Sequence, residues 1–239
     1  MSAPDDRPIL VVDNVTKRFD GLVAVEDVSL QVSPGDMLCI IGPNGAGKST
    51  LFNMMCGALT PTRGAIRFDG ADISGLPLHQ VARLGISRKF QVPSVFEALS
   101  VEDNLELAGR VSGHGGEERI EDILDLIRLR PVRDLPASSL AHGQKQWLEI
   151  GIALVSHPRL VLLDEPTAGM TREETDATAK LLLSVRGETT AIVIEHDMRF
   201  VRALGCHTVV LHQGRLLRQG PFEAIERDDL VREIYLGRQ

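Results

Sequence analysis

Apolar residues along this chain come in two arrangements, short extended runs and helical stripes, and their order outlines the fold. Residues 9–19 and 22–32 read as two extended stretches on either side of Asp20-Gly21, and Ser33-Pro34-Gly35-Asp36 reads as a turn. A wholly apolar run follows, Met37-Leu38-Cys39-Ile40-Ile41. It leads through a glycine-rich stretch into an apolar helical segment at 51–56. Residues 65–68 form a short strand ending at Asp69-Gly70; 77–84 are helical and 86–90 extended. The middle of the chain changes character. Residues 101–110 and 117–128 carry helical periodicity around Ser112-Gly113-His114-Gly115-Gly116, and a proline-rich connection, 131–136, leads to a helix over 143–156. Strands return at 160–163 and 191–195 with a helix at 172–185 between them. A hairpin over 208–212 and 215–219 turns at Gln213-Gly214, and short helices at 222–227 and 229–236 close the chain. Strands alternating with helices imply parallel pairing. The expected fold class is therefore α/β, with a mixed sheet, an antiparallel segment and an inserted helical subdomain. Residues 1–90 and 158–239 form the core and 91–157 the insertion.

The chemistry begins where the apolar run meets the glycines. Residues 42–50 read Gly42-Pro43-Asn44-Gly45-Ala46-Gly47-Lys48-Ser49-Thr50, a complete GxxxxGKS phosphate-binding loop. The order strand, loop, helix matters more than the pattern, because it aims backbone N–H groups and a positive helix end at one point. Lys48 is expected to reach β- and γ-phosphates, and Ser49 to offer its hydroxyl to Mg²⁺. A second apolar strand ends in Asp164-Glu165, which puts two carboxylates at the edge of the sheet where α/β proteins bind ligands. Asp164 suits a water-mediated Mg²⁺ contact and Glu165 suits orienting the attacking water. The alternative, that these acids cap the next helix, is weakened by Pro166 and by a helix start near Thr171.

Composition narrows the classes. The chain has 239 residues, 43% hydrophobic and 25% charged, with net charge −7. That is one large domain or a domain with a sub-lobe, and the acidic balance argues against a nucleic-acid partner. No apolar run approaches the ~18 residues of a membrane span. The N-terminus is polar and acidic, unlike a signal peptide, so a cytoplasmic chain is expected. Cys39, Cys56 and Cys206 sit in or beside apolar runs and read as core residues. The seven histidines show no metal-ligand spacing.

Over about residues 9–237 the chain resembles the ATP-binding subunits of ABC transporters, and the motifs fall in that family's order. The resemblance implies ATP and Mg²⁺ as ligands and a P-loop NTPase core of the ABC ATPase fold. It places Phe19 against adenine and makes Gln91 the Q-loop glutamine, near the metal and γ-phosphate. Leu140-Ala141-His142-Gly143-Gln144 corresponds to the signature that meets the opposite subunit's nucleotide, 168–171 to the D-loop, and His196 to the switch histidine. Taken alone, Phe19 reads better as a core aromatic and Gln91 better as a surface amide, and His196 could be an interior or cap histidine. Trp147 reads as packing on the signature helix. The implied partners are a second ATP-binding subunit (a different chain or a second copy), two transmembrane permease subunits and, indirectly, an extracytoplasmic solute-binding protein. The implied location is the inner face of the plasma membrane. Residues 92–96 are either the permease-docking surface or core of the sub-lobe. The short, heptad-free stretch between Lys48 and Gly143 sets aside DNA-repair ATPases of the class, and the acidic single half sets aside its translation factors. A non-catalytic regulatory module is opposed by Lys48, Glu165 and His196. Within the class, 17–25 resembles importers of branched-chain amino acids and urea, and 88–99 and 142–151 look closest to the urea importer's D subunit, so the implied cargo is urea or a related short amide, with branched-chain amino acids as the alternative. One departure is Ala141, where the family has serine. Slowed hydrolysis is expected at the site this signature faces.

Overall fold

The computed structural model describes residues 7–89, 95–112 and 116–236. The first two strands, β1 (Leu10–Phe19) and β2 (Leu22–Val32), form the expected antiparallel pair. The strand β3 (Met37–Ile41) delivers the glycine loop, and α1 (Lys48–Met55) leaves it. After α1 come β4 (Arg63–Phe68), the two-residue β5 (Ala71–Asp72), α2 (Leu78–Arg83) and β6 (Ile86–Lys89). Three helices follow: α3 (Val101–Ser112), α4 (Glu117–Leu126) and α5 (His142–Val155). The last part holds β7 (Leu160–Asp164), α6 (Arg172–Ser184), β8 (Thr190–Ile194), α7 (Met198–Leu204), β9 (His207–His212), β10 (Arg215–Pro221), α8 (Phe222–Arg227) and α9 (Asp229–Leu236).

Two sheets form. The first is antiparallel, in order β2-β1-β4-β5; the second runs β10-β9-β3-β8-β7-β6. In the second, β9, β3, β8, β7 and β6 are parallel and β10 closes an antiparallel edge. Its central strands are almost wholly apolar because both faces are covered. Alternate residues serve different cores: Met37, Cys39 and Ile41 join one cluster, Leu38 and Ile40 the other. The first cluster packs β3, β7 and β8 against α3–α8; the second packs the opposite face against α1 and the antiparallel sheet. No helix among the described residues is long and apolar enough to cross a membrane.

The structure departs from the sequence reading in three instructive places. The seven-residue α7 was not anticipated; Asp197 caps it by accepting from the Arg199 and Phe200 amides at 2.8 and 3.3 Å. The strand expected at 65–68 begins two residues earlier, through Gly64, whose φ of +83° lets the chain pass close to the Asn14 carbonyl. The helix expected to reach 128 stops at Leu126, and Arg128 then turns left-handed at φ +59°. The three cysteines are buried and free, but Cys39 and Cys206 are neighbours, Sγ to Sγ 3.0 Å across β3 and the approach to β9.

Candidate active site

The carboxyl edge of the parallel sheet gathers the phosphate loop, Asp164, Glu165 and His196 by topology alone. β3 sits next to β8, and β8 next to β7, so the segments leaving all three lie side by side. From β3, the loop curls tightly, with the Ala46 amide donating to the Pro43 carbonyl at 3.2 Å. Gly47, at φ +96°, has no space for a side chain: a Cβ there would lie 2.5 Å from the Ala24 carbonyl oxygen. The hairpin between β9 and β10 braces the loop, since the Gly214 amide donates to the Ala46 carbonyl at 3.1 Å. No side chain caps α1 and no acid lies in its first turn, so its leading amides and its dipole remain directed at an anion. Asn44, Gly45 and Ser49 are exposed, with Pro43 and Thr50 half-buried around them.

Lys48 is 8% exposed and folds back over the loop. Its Nζ donates to the carbonyls of Gly42 at 2.6 Å and Pro43 at 3.1 Å. Burial lowers its pKa, partly offset by Glu165 and Asp164. Asp164, at the end of β7, is 2% exposed, and both its carboxylate oxygens are buried without a hydrogen bond. The Arg88 guanidinium stands 3.7 Å away. Burial raises the Asp164 pKa in spite of that cation. A buried carboxylate with unused acceptors beside a phosphate loop fits a hard divalent cation that keeps most of its own waters. Among the described residues, no group of three or more His, Cys, Asp or Glu side chains could hold a metal.

Glu165 points outward, its side chain 35% exposed, and its backbone is left-handed at φ +47°. For a residue with a Cβ that conformation costs on the order of 1–3 kcal/mol and is held only by its surroundings. Neither Asp164 nor Glu165 caps the next helix: Thr171 does, in a reciprocal pair with Glu174. His196 follows β8 and is 62% exposed, with Nδ1 3.5 Å from Glu165 Oε1. It is neither an interior histidine nor a cap, Asp197 having that role. Phe19 is 40% exposed, with the Lys17 ammonium 5.1 Å from its ring centre, so it is not a core aromatic. Gln91 lies outside the described residues.

The signature residues sit apart from this cluster. Ala141 precedes α5, and its amide donates to the Gln144 side chain at 3.0 Å. His142 Nε2 lies 2.9 Å from the Ala168 carbonyl, and a Cβ on Gly143 would lie 2.2 Å from Glu174 Oε1. The start of α5 is thus fitted against the segment 168–174. Among the described residues, no hydrogen bond or ion pair joins 141–144 to the phosphate loop. Trp147 packs on the α5 side of the core and donates to Thr178 Oγ1 at 2.9 Å. Three contributors escaped the sequence reading. Arg88 faces Asp164, and Glu195 and Thr167 form a buried hydrogen-bonded pair behind Glu165. The only signal for Glu195 in the sequence was a carboxylate directly after an apolar strand.

Known proteins resemble this chain over nearly its whole length. A branched-chain amino acid transport ATP-binding protein, BraF of Pseudomonas aeruginosa, is 39% identical, the match covering 97% of this chain and 98% of the relative. LivG of Escherichia coli K12, described in the same terms, is 36% identical over the same shares. The ADP conformation of MJ1267, an ATP-binding cassette of an ABC transporter, superposes with a TM-score of 0.87 at 30% identity, covering 97% of this chain and all of that one. A model of the ABC transporter family matches residues 25–168, and with these full-length likenesses the chain belongs to that family as one of its ATP-hydrolysing, transport-coupled subunits.

Proposed function

We propose that this chain is the ATP-hydrolysing motor of an importer for branched-chain amino acids. The observation that carries the cargo is the end-to-end likeness to BraF and LivG, 97% of the chain in both cases. A urea cargo rests only on the short segments 88–99 and 142–151. The cargo passes through permease subunits and never touches this chain, so short motifs here constrain it weakly.

The mechanism follows from the carboxyl edge. The α1 amides and the loop backbone receive the phosphates, and Lys48 exchanges its Gly42 and Pro43 carbonyls for phosphate oxygens. Phe19, exposed at the end of β1, stacks on the base. Ser49 and Asp164 would hold Mg²⁺, with Gln91 as a further ligand, and the ion would neutralise charge on the β- and γ-phosphates. Glu165 orients and polarises the attacking water, and His196 beside it hydrogen-bonds the γ-phosphate. Ala141, His142, Gly143 and Gln144 serve the nucleotide of a second ATP-binding subunit, whose own signature completes the site of Lys48. ATP between two subunits draws them together, and loss of the γ-phosphate contacts releases them. Residues 91–157 act as the lobe that carries the signature and meets the permease.

The test is ATP turnover of the complex isolated from its native membrane and reconstituted with its receptor, with leucine and urea added in turn. Stimulation by leucine alone is the expected result. Stimulation by urea alone would overturn the cargo and leave the motor.

A further inference from the structure

Two carboxylates stand side by side at the carboxyl edge. Asp164 pairs with Ile194 across β7 and β8, so Glu165 and Glu195 are the next residues out on adjacent strands. They turn opposite ways. Glu165 faces outward, whereas Glu195 is 1% exposed and points into the protein. A carboxylate so buried persists only when its oxygens are satisfied. Oε1 accepts from the Thr167 hydroxyl at 2.6 Å and the Thr167 amide at 3.1 Å. Oε2 accepts from the His196 amide at 3.0 Å and, more weakly, the Asp197 amide at 3.5 Å. Each oxygen is thus held by N–H or O–H donors, and the His196 imidazole stands close by, its Nδ1 3.9 Å from Oε2.

Those donors belong to the two turns that present the hydrolytic pair. Thr167 lies in the turn that holds Glu165 left-handed, and that turn is closed by the Ala168 amide donating to the Glu165 carbonyl at 3.2 Å. The His196 amide sets the start of the turn that places the imidazole 3.5 Å from Glu165. We infer that Glu195 is a positioning residue for hydrolysis: one buried carboxylate ties the turn after β7 to the turn after β8, fixing Glu165 and His196 relative to each other. It touches neither nucleotide nor water. This inference rests on the reading of Glu165 as the residue that orients water.

Glu195→Gln keeps the shape but turns one oxygen into a donor, so the amides or hydroxyl on that side lose their acceptor. ATP turnover is measured for the full-length chain in its isolated transporter complex. In Glu195→Gln, kcat falls about tenfold or more, as for loss of one charge-assisted contact, while KM for ATP stays within about twofold. The decisive readout is the double variant. Acting through Glu165, Glu195→Gln adds nothing to the residual turnover of Glu165→Gln, whereas general weakening of the fold would multiply the two losses. Thr167→Val removes only the hydroxyl donor and covers the case in which Glu195→Gln does not fold. It gives a smaller kcat loss with the same non-additivity. Unchanged kcat, a loss carried by KM, or multiplicative losses would overturn the inference while leaving Glu165 in its role. Full turnover by Glu165→Gln alone would overturn both.

Discussion

At the scale of single residues, Ala141 and Asp164 each work against local stability. Ala141 opens α5 without a side-chain acceptor, where serine would cap the helix. Ala141→Ser is therefore expected to stabilise the chain by about 1 kcal/mol in urea unfolding. It is also expected to raise turnover of the assembled complex, since the added hydroxyl would offer a hydrogen bond of roughly 1.5–3 kcal/mol to a γ-phosphate. A gain in stability with no change in turnover would mean that this signature does not limit the cycle. Asp164 is the second. Burial holds its folded pKa above the unfolded value, so the folded chain keeps a proton that the unfolded chain has released. Stability of the Mg²⁺-free chain therefore falls as pH rises out of the ordinary carboxylate range, and the charged form is penalised at neutral pH. Asp164→Asn should stabilise the Mg²⁺-free chain at pH 7 by about 1 kcal/mol, an ordinary single-site effect, and flatten that pH dependence while abolishing Mg²⁺-dependent turnover. Urea midpoints from pH 4 to 7 read both; a loss of stability at pH 7 would show that the Arg88 attraction outweighs the burial.

At the scale of elements, the helical segment is joined to the sheet by a buried charge pair. Lys89, the last residue of β6, and Glu149, in the middle of α5, lie 3.1 Å apart with side chains 4% and 6% exposed. Removing one charge from such a pair strands the other, so Glu149→Gln should cost about 3–5 kcal/mol. The double change Lys89→Met with Glu149→Leu should recover most of it. A double-mutant cycle in urea checks this, and a double variant as unstable as the single would sink it. This pair also shows what the sequence made legible. Apolar runs marked β3, β7 and β8, and GxxxxGKS and Asp164-Glu165 marked the candidate site, because each is a local pattern with a local cause. The Lys89–Glu149 pair arises from α5 packing on β6, and Arg88 beside Asp164 and Glu195 beneath Glu165 from β6, β7 and β8 lying next to one another, which no local pattern records. The seven-residue α7 escaped for the opposite reason: it is too short for a helical period to stand out. The docking segment expected at 92–96 is described only from Val95, and there it divides, with Val95 against the core and Phe96 58% exposed.

At the scale of the whole molecule, that exposed Phe96 is held rather than loose. Asn104, 2% exposed on α3, accepts from the Phe96 amide at 2.8 Å and donates to the carbonyls of Phe96 and Ser100 at 3.0 and 2.8 Å. The next residues reach toward the signature. Glu97 Oε1 pairs with Lys145 of α5 at 3.0 Å, and the Glu97 and Leu99 carbonyls accept from the Ser138 and Ala137 amides at 3.0 and 2.9 Å. These contacts connect the Phe96 loop to the segment before α5 and to α5 itself, where Ala141 to Gln144 face the opposite nucleotide in the proposed dimer. Exposed, immobilised apolar surface is what a docking contact requires, since little ordering entropy remains to be lost on binding. Phe96→Asp should accordingly leave the chain's urea midpoint unchanged, a surface substitution worth within about 0.5 kcal/mol, and leave nucleotide affinity intact. It should abolish cargo stimulation of turnover and weaken co-purification with the permease. If the variant assembles and responds to cargo as the parent does, the permease meets another surface, and the ties from Glu97 to α5 serve only to hold the fold.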